Sequence, residues 1–230
     1  MFVVVFDVCP QTAQMQPYLD FAKLLRPELE QIVGFIDNER FCNTQHPDQI
    51  LSLSTWANEK ALIRWRTHAQ HHRVQSKGRL LVFADYRLRV GEITNDSHLP
   101  PGQNLDQQRF DSTESSHVTT LSILELSATA NDSSLTEQIS RVAAIDPLQP
   151  PVGWCEGAMF TSLTNVGKQL WLAGWNTSSA AEAWYRTQIV PLGAVGLRQR
   201  LVRVIRSYGI HDRREAPQYY PEVAATVAIW

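Results

Sequence analysis

The stretch GFIDNERFCNTQHPDQILSLSTWANEKALIRW, from Gly34 to Trp65, has a counterpart 119 residues later: GWCEGAMFTSLTNVGKQLWLAGWNTSSAAEAW, from Gly153 to Trp184. No gap is needed. Phe41 falls on Phe160, Leu51 on Leu170, Leu53 on Leu172, Trp56 on Trp175, Ala61 on Ala180 and Trp65 on Trp184. Tryptophan is a rare residue, so two coincident tryptophans at one spacing are hard to obtain by chance. A repeat of such long period signals two copies of a domain rather than a solenoid.

The rest of the chain is organised around the two copies. DSHLPPGQNLDQQRFDSTESSH, from Asp96 to His117, is polar, has no apolar period and is broken by Pro100, Pro101 and Gly102, so it reads as a linker. The expected division is one domain over residues 1–95, a linker over 96–116, a diverged copy over 117–214 and a tail over 215–230. Tyr219, Tyr220, Val223, Val227, Ile229 and Trp230 make that tail too apolar for a free end, so it is expected to pack on a neighbouring surface.

Each copy carries the same order of elements. Phe2 to Val8 is a β-rich apolar run, and Tyr18, Phe21, Ala22, Leu25 and Leu29 recur at helical spacing, with Pro27 expected to bend or shorten that helix. Gly34 to Asn43 and Gln49 to Trp56 predict two strands, and Asn58 caps a helix beginning near Glu59. In LLVFADYRLRV, Tyr86, Leu88 and Val90 share one strand face, and Asp85, Arg87 and Arg89 share the other. In the second copy Val202, Val204 and Tyr208 fall on one face, interrupted by Arg206. The order β-α-β-β-α-β is the ferredoxin-like arrangement. The predicted fold is α+β: two such domains whose antiparallel sheets meet face to face as an intrachain pseudo-dimeric α/β barrel. Helices cover one face of each sheet, and the other, apolar face needs the partner copy.

Composition excludes several classes. Hydrophobic residues make up 43% and charged residues 19%, enough apolar content for real cores. The formal charge of −2 argues against nucleic acid, and no run approaches the roughly 18 apolar residues of a membrane span. MFVVVFDVCP is too short and lacks the basic leader of a signal peptide, so it reads as a first strand. Cys9, Cys42 and Cys155 lie far apart without zinc spacing, which leaves no disulfide framework and a reducing cytoplasm as the expected compartment.

GFIDNERF, ILSLSTWANEKALIRWRTHAQHH and QSKGRLLVFADYRLRVGE, which together fill most of residues 34–92, resemble the antibiotic biosynthesis monooxygenase (ABM) family. The second copy resembles it through Gly153 to Thr187 and Tyr208. The resemblance implies a dimeric α/β barrel and a small hydrophobic or aromatic ligand. Some members of the family are similar to oxygenases that oxidise polycyclic phenols to quinones with O2 and no cofactor, and the resemblance implies such an activity here. A homo-oligomer of such pseudo-dimers is the further assembly it allows. A haem-degrading branch of the family uses an asparagine on the first strand, a tryptophan on the second helix and an axial histidine ten residues later. Here Trp65 matches, but Asp7 stands for the asparagine and Gln75 for the histidine, which turns the reading away from haem.

Candidate site residues follow from one helix. If that helix is continuous, Trp65, His68, His72 and Gln75 share a stripe that lines a pocket between helix and sheet. His72 or His68, or Asp7, then takes a proton from a phenolic substrate, with Trp65, Tyr86, Gln75 and Arg40 binding it. The competing reading puts Trp65 in the core with the histidines solvated or capping, and Tyr86 in the barrel core. His68 and His72 have i, i+4 metal spacing but no HExxH carboxylate and no evident third ligand, so no metal is assigned. The second copy has no histidine on its equivalent helix and is expected to be mainly structural. Arg198, Arg200, Arg203 and Arg206 form a basic patch suited to an interdomain contact. A non-catalytic binding protein of the same fold is the alternative to an enzyme.

Overall fold

A computed structural model describes residues 1–127, 137, 145–146, 148–187 and 196–217. Eight strands close one antiparallel barrel: β1 (Phe2–Pro10), β2 (Phe35–Asn43), β3 (Ile50–Trp56), β4 (Phe83–Asp96), β5 (Thr120–Ser127), β6 (Trp154–Ser162), β7 (Lys168–Trp175) and β8 (Leu197–Gly209). Around it lie α1 (Met15–Glu30), α2 (Glu59–Thr67), α3 (Ala69–Lys77) and α4 (Ser178–Thr187). The order around the barrel is β1-β3-β2-β6-β7-β5-β8-β4. It splits into two ferredoxin-like halves, 4-1-3-2 and its repeat, joined where β2 meets β6 and where β4 meets β8. Equivalent strands therefore meet at both seams, the self-complementary rule of a two-fold dimer carried out inside one chain.

The duplication is visible in the backbone. Gly34 and Gly153 both take positive φ, 92° and 79°. A Cβ at Gly34 would stand 2.7 Å from the Ala61 methyl, and one at Gly153 would stand 2.5 Å from the Ala180 methyl. Each carbonyl accepts the N–H that follows a buried tryptophan, Ala57 after Trp56 and Asn176 after Trp175. Glycine is required by the left-handed backbone and by the close approach alike.

The barrel interior is filled. Val3, Val5, Leu51, Leu53, Leu121, Ile123, Leu170, Leu172, Val202 and Val204 form one buried cluster across both halves. The inward face is not the uniformly apolar surface expected from the sequence. Arg89, 1% exposed, ion-pairs with Glu156 of the other half, which also takes Arg87 at 2.7 Å. Arg200 is equally buried against Glu125, whose other oxygen lies 2.8 Å from Lys168. The expected basic patch is thus mostly dispersed into ion pairs: Arg198 holds Asp96 at 2.7 Å, and Arg203 holds Glu92. These last two pairs cross between the halves.

Three local expectations are corrected. Pro27 does not shorten α1, which contains it and continues to Glu30. Residues 80–82 belong to a π-helical turn (Gly78–Val82) that precedes β4, not to the strand. In β8 a bulge at Ile205 places two residues opposite Val90 and reverses the alternation. Val202 and Val204 stay inside the barrel, while Arg206 and Tyr208 turn outward beneath the helices of the first half.

The segment between β4 and β5 is tied down: Thr113 donates its N–H to Val204 O at 2.9 Å, and Arg109 reaches Glu59 at 3.0 Å. Most of the region between β5 and β6, where the second copy's first helix is expected, lies outside the described residues, as do Tyr219, Tyr220, Val223, Val227, Ile229 and Trp230 of the tail. Among the described residues no helix is long and apolar enough to cross a membrane.

Candidate active site

Asn58 starts α2, its side chain accepting the Ala61 N–H at 3.0 Å, and Ala61 and Leu62 bury the helix against Trp56 and Phe2. The helix does not run on. His68 is extended (φ −61°, ψ 128°), its N–H closes on Trp65 O at 3.1 Å, and α3 starts afresh at Ala69. A helix end leaves carbonyls without partners. Trp65 O, already bonded to the His68 N–H, takes a second partner in His71: its Nδ1 lies 2.8 Å away, and its ring stacks on the Trp65 indole with centroids 4.2 Å and planes 13° apart.

This break separates the expected stripe. Trp65 and Gln75 line a cavity of about 210 Å³ between the helices and the outer sheet face, together with His71. His68 turns toward α1, Nε2 3.7 Å from Glu28, and neither His68 nor His72 is among the lining residues. Asp7 shares the inward face of β1 with Val3 and Val5, where both its oxygens accept from Gln49 Nε2 at 2.7 and 2.9 Å. Burial raises its carboxyl above the usual range in spite of those bonds. Arg40 and Tyr86 do line the cavity. Tyr86 faces it rather than the barrel core, packing on Phe6 and Phe83 at ring distances of 5.5 and 6.0 Å.

The walls are aromatic and aliphatic: Phe6, Tyr18, Phe21, Leu25, Trp65 and Phe83. The polar lining is lopsided. Arg40, Arg66, Arg79, Arg206 and Arg213 stand against a single carboxylate, Glu59, which Arg109 already pairs. Arg206, Tyr208 and Arg213 come from the second half and Pro217 from the tail, so both copies build this cavity.

Burial drives the His71 pKa down to about 4, outweighing the bond to Trp65 O. The ring is therefore neutral near neutrality. A carbonyl can only accept, which assigns the proton to Nδ1 and leaves Nε2 as an acceptor.

The second half shows what closes such a cavity. Trp171 stands where the first copy has Ser52, a lining residue, and stacks on Trp184 at 4.9 Å. Trp175 and Tyr185 complete that filled cluster. The Ser52/Trp171 difference is readable from the repeat alignment. His71 lies between the two candidate histidines, in HAQHH from His68 to His72, but falls off the stripe of a continuous helix. Arg213 carries no local signal, and Arg206 is legible only as a member of the basic patch and a break in its strand's pattern. Among the described residues no group of three His, Cys, Asp or Glu side chains is placed to hold a metal ion.

Residues 1–77 match the profile of the antibiotic biosynthesis monooxygenase family. Over 229 residues the chain is 38% identical to a protein of Pyricularia oryzae named jasmonate monooxygenase ABM, covering 96% of this chain and 99% of that one. Two aldoxime dehydratase structures, one in complex with butyraldoxime, superpose with TM-score 0.56 at 11% and 13% identity. They cover 89% and 92% of this chain and 81% and 80% of theirs. At that identity the likeness is one of fold alone.

Proposed function

The chain belongs to the antibiotic biosynthesis monooxygenase family, and from that premise we propose that it monooxygenates a small cyclic molecule bearing an ionised acidic group, bound under α1, α2 and α3. One observation carries the reading: an apolar, aromatic-walled cavity whose polar lining is dominated by arginines. Burying a ring there gains about 25 cal/mol per Å² of apolar surface, and a guanidinium fork matches a carboxylate. Jasmonate, the compound in the name of the Pyricularia oryzae relative, joins a cyclopentanone to a carboxylate side chain and is the first compound to test.

The electron balance sets the assay. Hydroxylating a C–H bond with O2 gives one alcohol and one water and consumes two further electrons, so a carboxylate of this kind needs an added two-electron donor. A second reading is favoured by the neutral His71 with Nε2 as acceptor. A phenol or quinol that gives up its proton there becomes electron-rich enough to reduce O2 itself. In an anthrone, the keto tautomer of a polycyclic phenol, O2 then converts the ring CH2 to C=O and releases one water, and the substrate supplies all four electrons with no cofactor.

The test is oxygen uptake and product mass for jasmonate and for anthrones, quinols and naphthols, each with and without a reduced nicotinamide. Oxygenated jasmonate that requires the donor supports the first reading. Donor-independent quinone formation supports the second. Ligand-induced stabilisation without turnover of any compound leaves a binding protein, and absence of both removes the cavity as a substrate site.

A further inference from the structure

We propose that Arg213, on the segment after β8, is the residue that selects an ionised acid over its neutral ester in the cavity of the first half. The inference rests on the reading of that cavity as the substrate site. It adds which group reads the acid, and that this group comes from the other copy.

Three observations converge on Arg213. Its flanking acids are occupied elsewhere. Asp212 accepts from Arg214 Nε at 3.0 Å and pairs with Arg214 Nη2 at 2.6 Å. Glu215 accepts the Thr113 hydroxyl at 2.8 Å and the backbone N–H groups of Ser115 and Ser207 at 3.0 and 2.6 Å. Among the described residues no carboxylate lies within ion-pair distance of Arg213. Its guanidinium is also held in place. Nη1 donates to the Tyr86 hydroxyl at 2.6 Å, and the guanidinium carbon lies 5.9 Å from the centroid of the Tyr208 ring. Finally, Arg213, Tyr86 and Tyr208 all line the cavity.

A guanidinium has five N–H donors in a rigid fork, and the Tyr86 contact uses one. The phenol and the ring face fix the orientation before a ligand arrives, so little side-chain freedom is lost when a carboxylate docks. The bulge at Ile205 makes this possible. It turns Tyr208 outward and carries the end of β8 past its own half, to pair beside Tyr86 and Arg87. The half whose own helix-sheet space is filled by Trp171 thus contributes the cation to the half that is open.

The experiment is equilibrium binding of jasmonate and its methyl ester to the full chain, in wild type and in the Arg213→Gln, Arg213→Lys and Tyr86→Phe variants. Wild type is expected to prefer the acid. Arg213→Gln should weaken the acid about ten- to hundredfold, as expected for hydrogen bonds to a charged group, and leave the ester within about twofold. Arg213→Lys should fall between, and Tyr86→Phe should weaken the acid a few-fold without touching the ester. An Arg213→Gln protein that keeps the wild-type preference, or loses acid and ester equally, overturns the proposal while the cavity remains the substrate site. Failure of wild type to bind either compound overturns both readings.

Discussion

The imidazole of His71 lies flat on the indole of Trp65, 4.2 Å between centroids, while its Nδ1–H donates to the carbonyl of the same tryptophan at 2.8 Å. One side chain caps a broken helix, fixes its own tautomer and forms part of the cavity wall. The arrangement has a pH signature. The folded His71 titrates at about 4 and the unfolded one near 6.5. Between those values the unfolded chain binds a proton that the folded chain refuses. The stabilisation from neutral His71 is present above 6.5 and is lost as pH falls toward 4. Urea midpoints from pH 7.5 to 4 should show it, and His71→Gln should reduce the loss by on the order of 2 kcal/mol. Identical pH slopes in the two proteins would contradict the burial of this ring.

Turnover should follow the cavity and not the expected stripe. With whichever substrate proves active, Trp65→Ala and His71→Phe should lower kcat/KM by about a hundredfold or more, the scale of a lost proton acceptor or misplaced substrate. His68→Ala and His72→Ala should stay within about threefold. Asp7→Asn should also keep turnover, and it should gain stability at neutral pH. The Asp7 carboxyl is raised by burial, so its ionisation opposes folding as pH rises above 3.8. A hundredfold loss in Asp7→Asn would move the chemistry into the barrel.

Ser52→Trp should convert the first half into a likeness of the second. The new indole enters the cavity beside Trp65, as Trp171 sits on Trp184. The protein should stay folded by circular dichroism and lose ligand binding. The reverse change, Trp171→Ser, should cost about 3–5 kcal/mol as a large-to-small core substitution while turnover persists. If Ser52→Trp binds substrate as wild type does, the cavity is not the site.

Glu156 joins the halves through Arg87 and Arg89. Burial alone would raise its carboxyl, and the two guanidiniums outweigh it, holding the group below the usual range. Its stabilisation is present above pH 4.5 and is lost as pH falls below that value. Glu156→Ala strands Arg89 in the barrel and should cost about 3–5 kcal/mol in chemical denaturation. A cost under about 1 kcal/mol would mean that Arg89 finds other partners.

Much of the fold was legible. The 119-residue offset, the paired tryptophans and Gly34 with Gly153 encode packing that each half makes locally, so the two ferredoxin-like units and their union could be read directly. The site was legible in part. Trp65, Gln75, Arg40 and Tyr86 do lie along the cavity, although the break at His68 intervenes between Trp65 and Gln75 and Tyr86 faces away from the barrel core. His72 and His68 were favoured over His71 because the stripe assumed α2 and α3 to be one helix. No proline or glycine marks the break at His68, and the capping bond that stabilises it exists only once the helix has ended.

The sequence by itself therefore determined the duplication, the strand and helix order and the aromatic framework, all set by near-neighbour periodicity and a repeated pattern. Tertiary structure alone decided that Arg89 and Arg200 lie inside the barrel with Glu156 and Glu125. It also decided that one extra residue at Ile205 turns Tyr208 outward, and that Arg213 reaches Tyr86 from 127 residues away. Charge pairing and bulge register depend on which strands meet at the two seams. That is a property of the closed barrel, to which no short stretch of the chain has access.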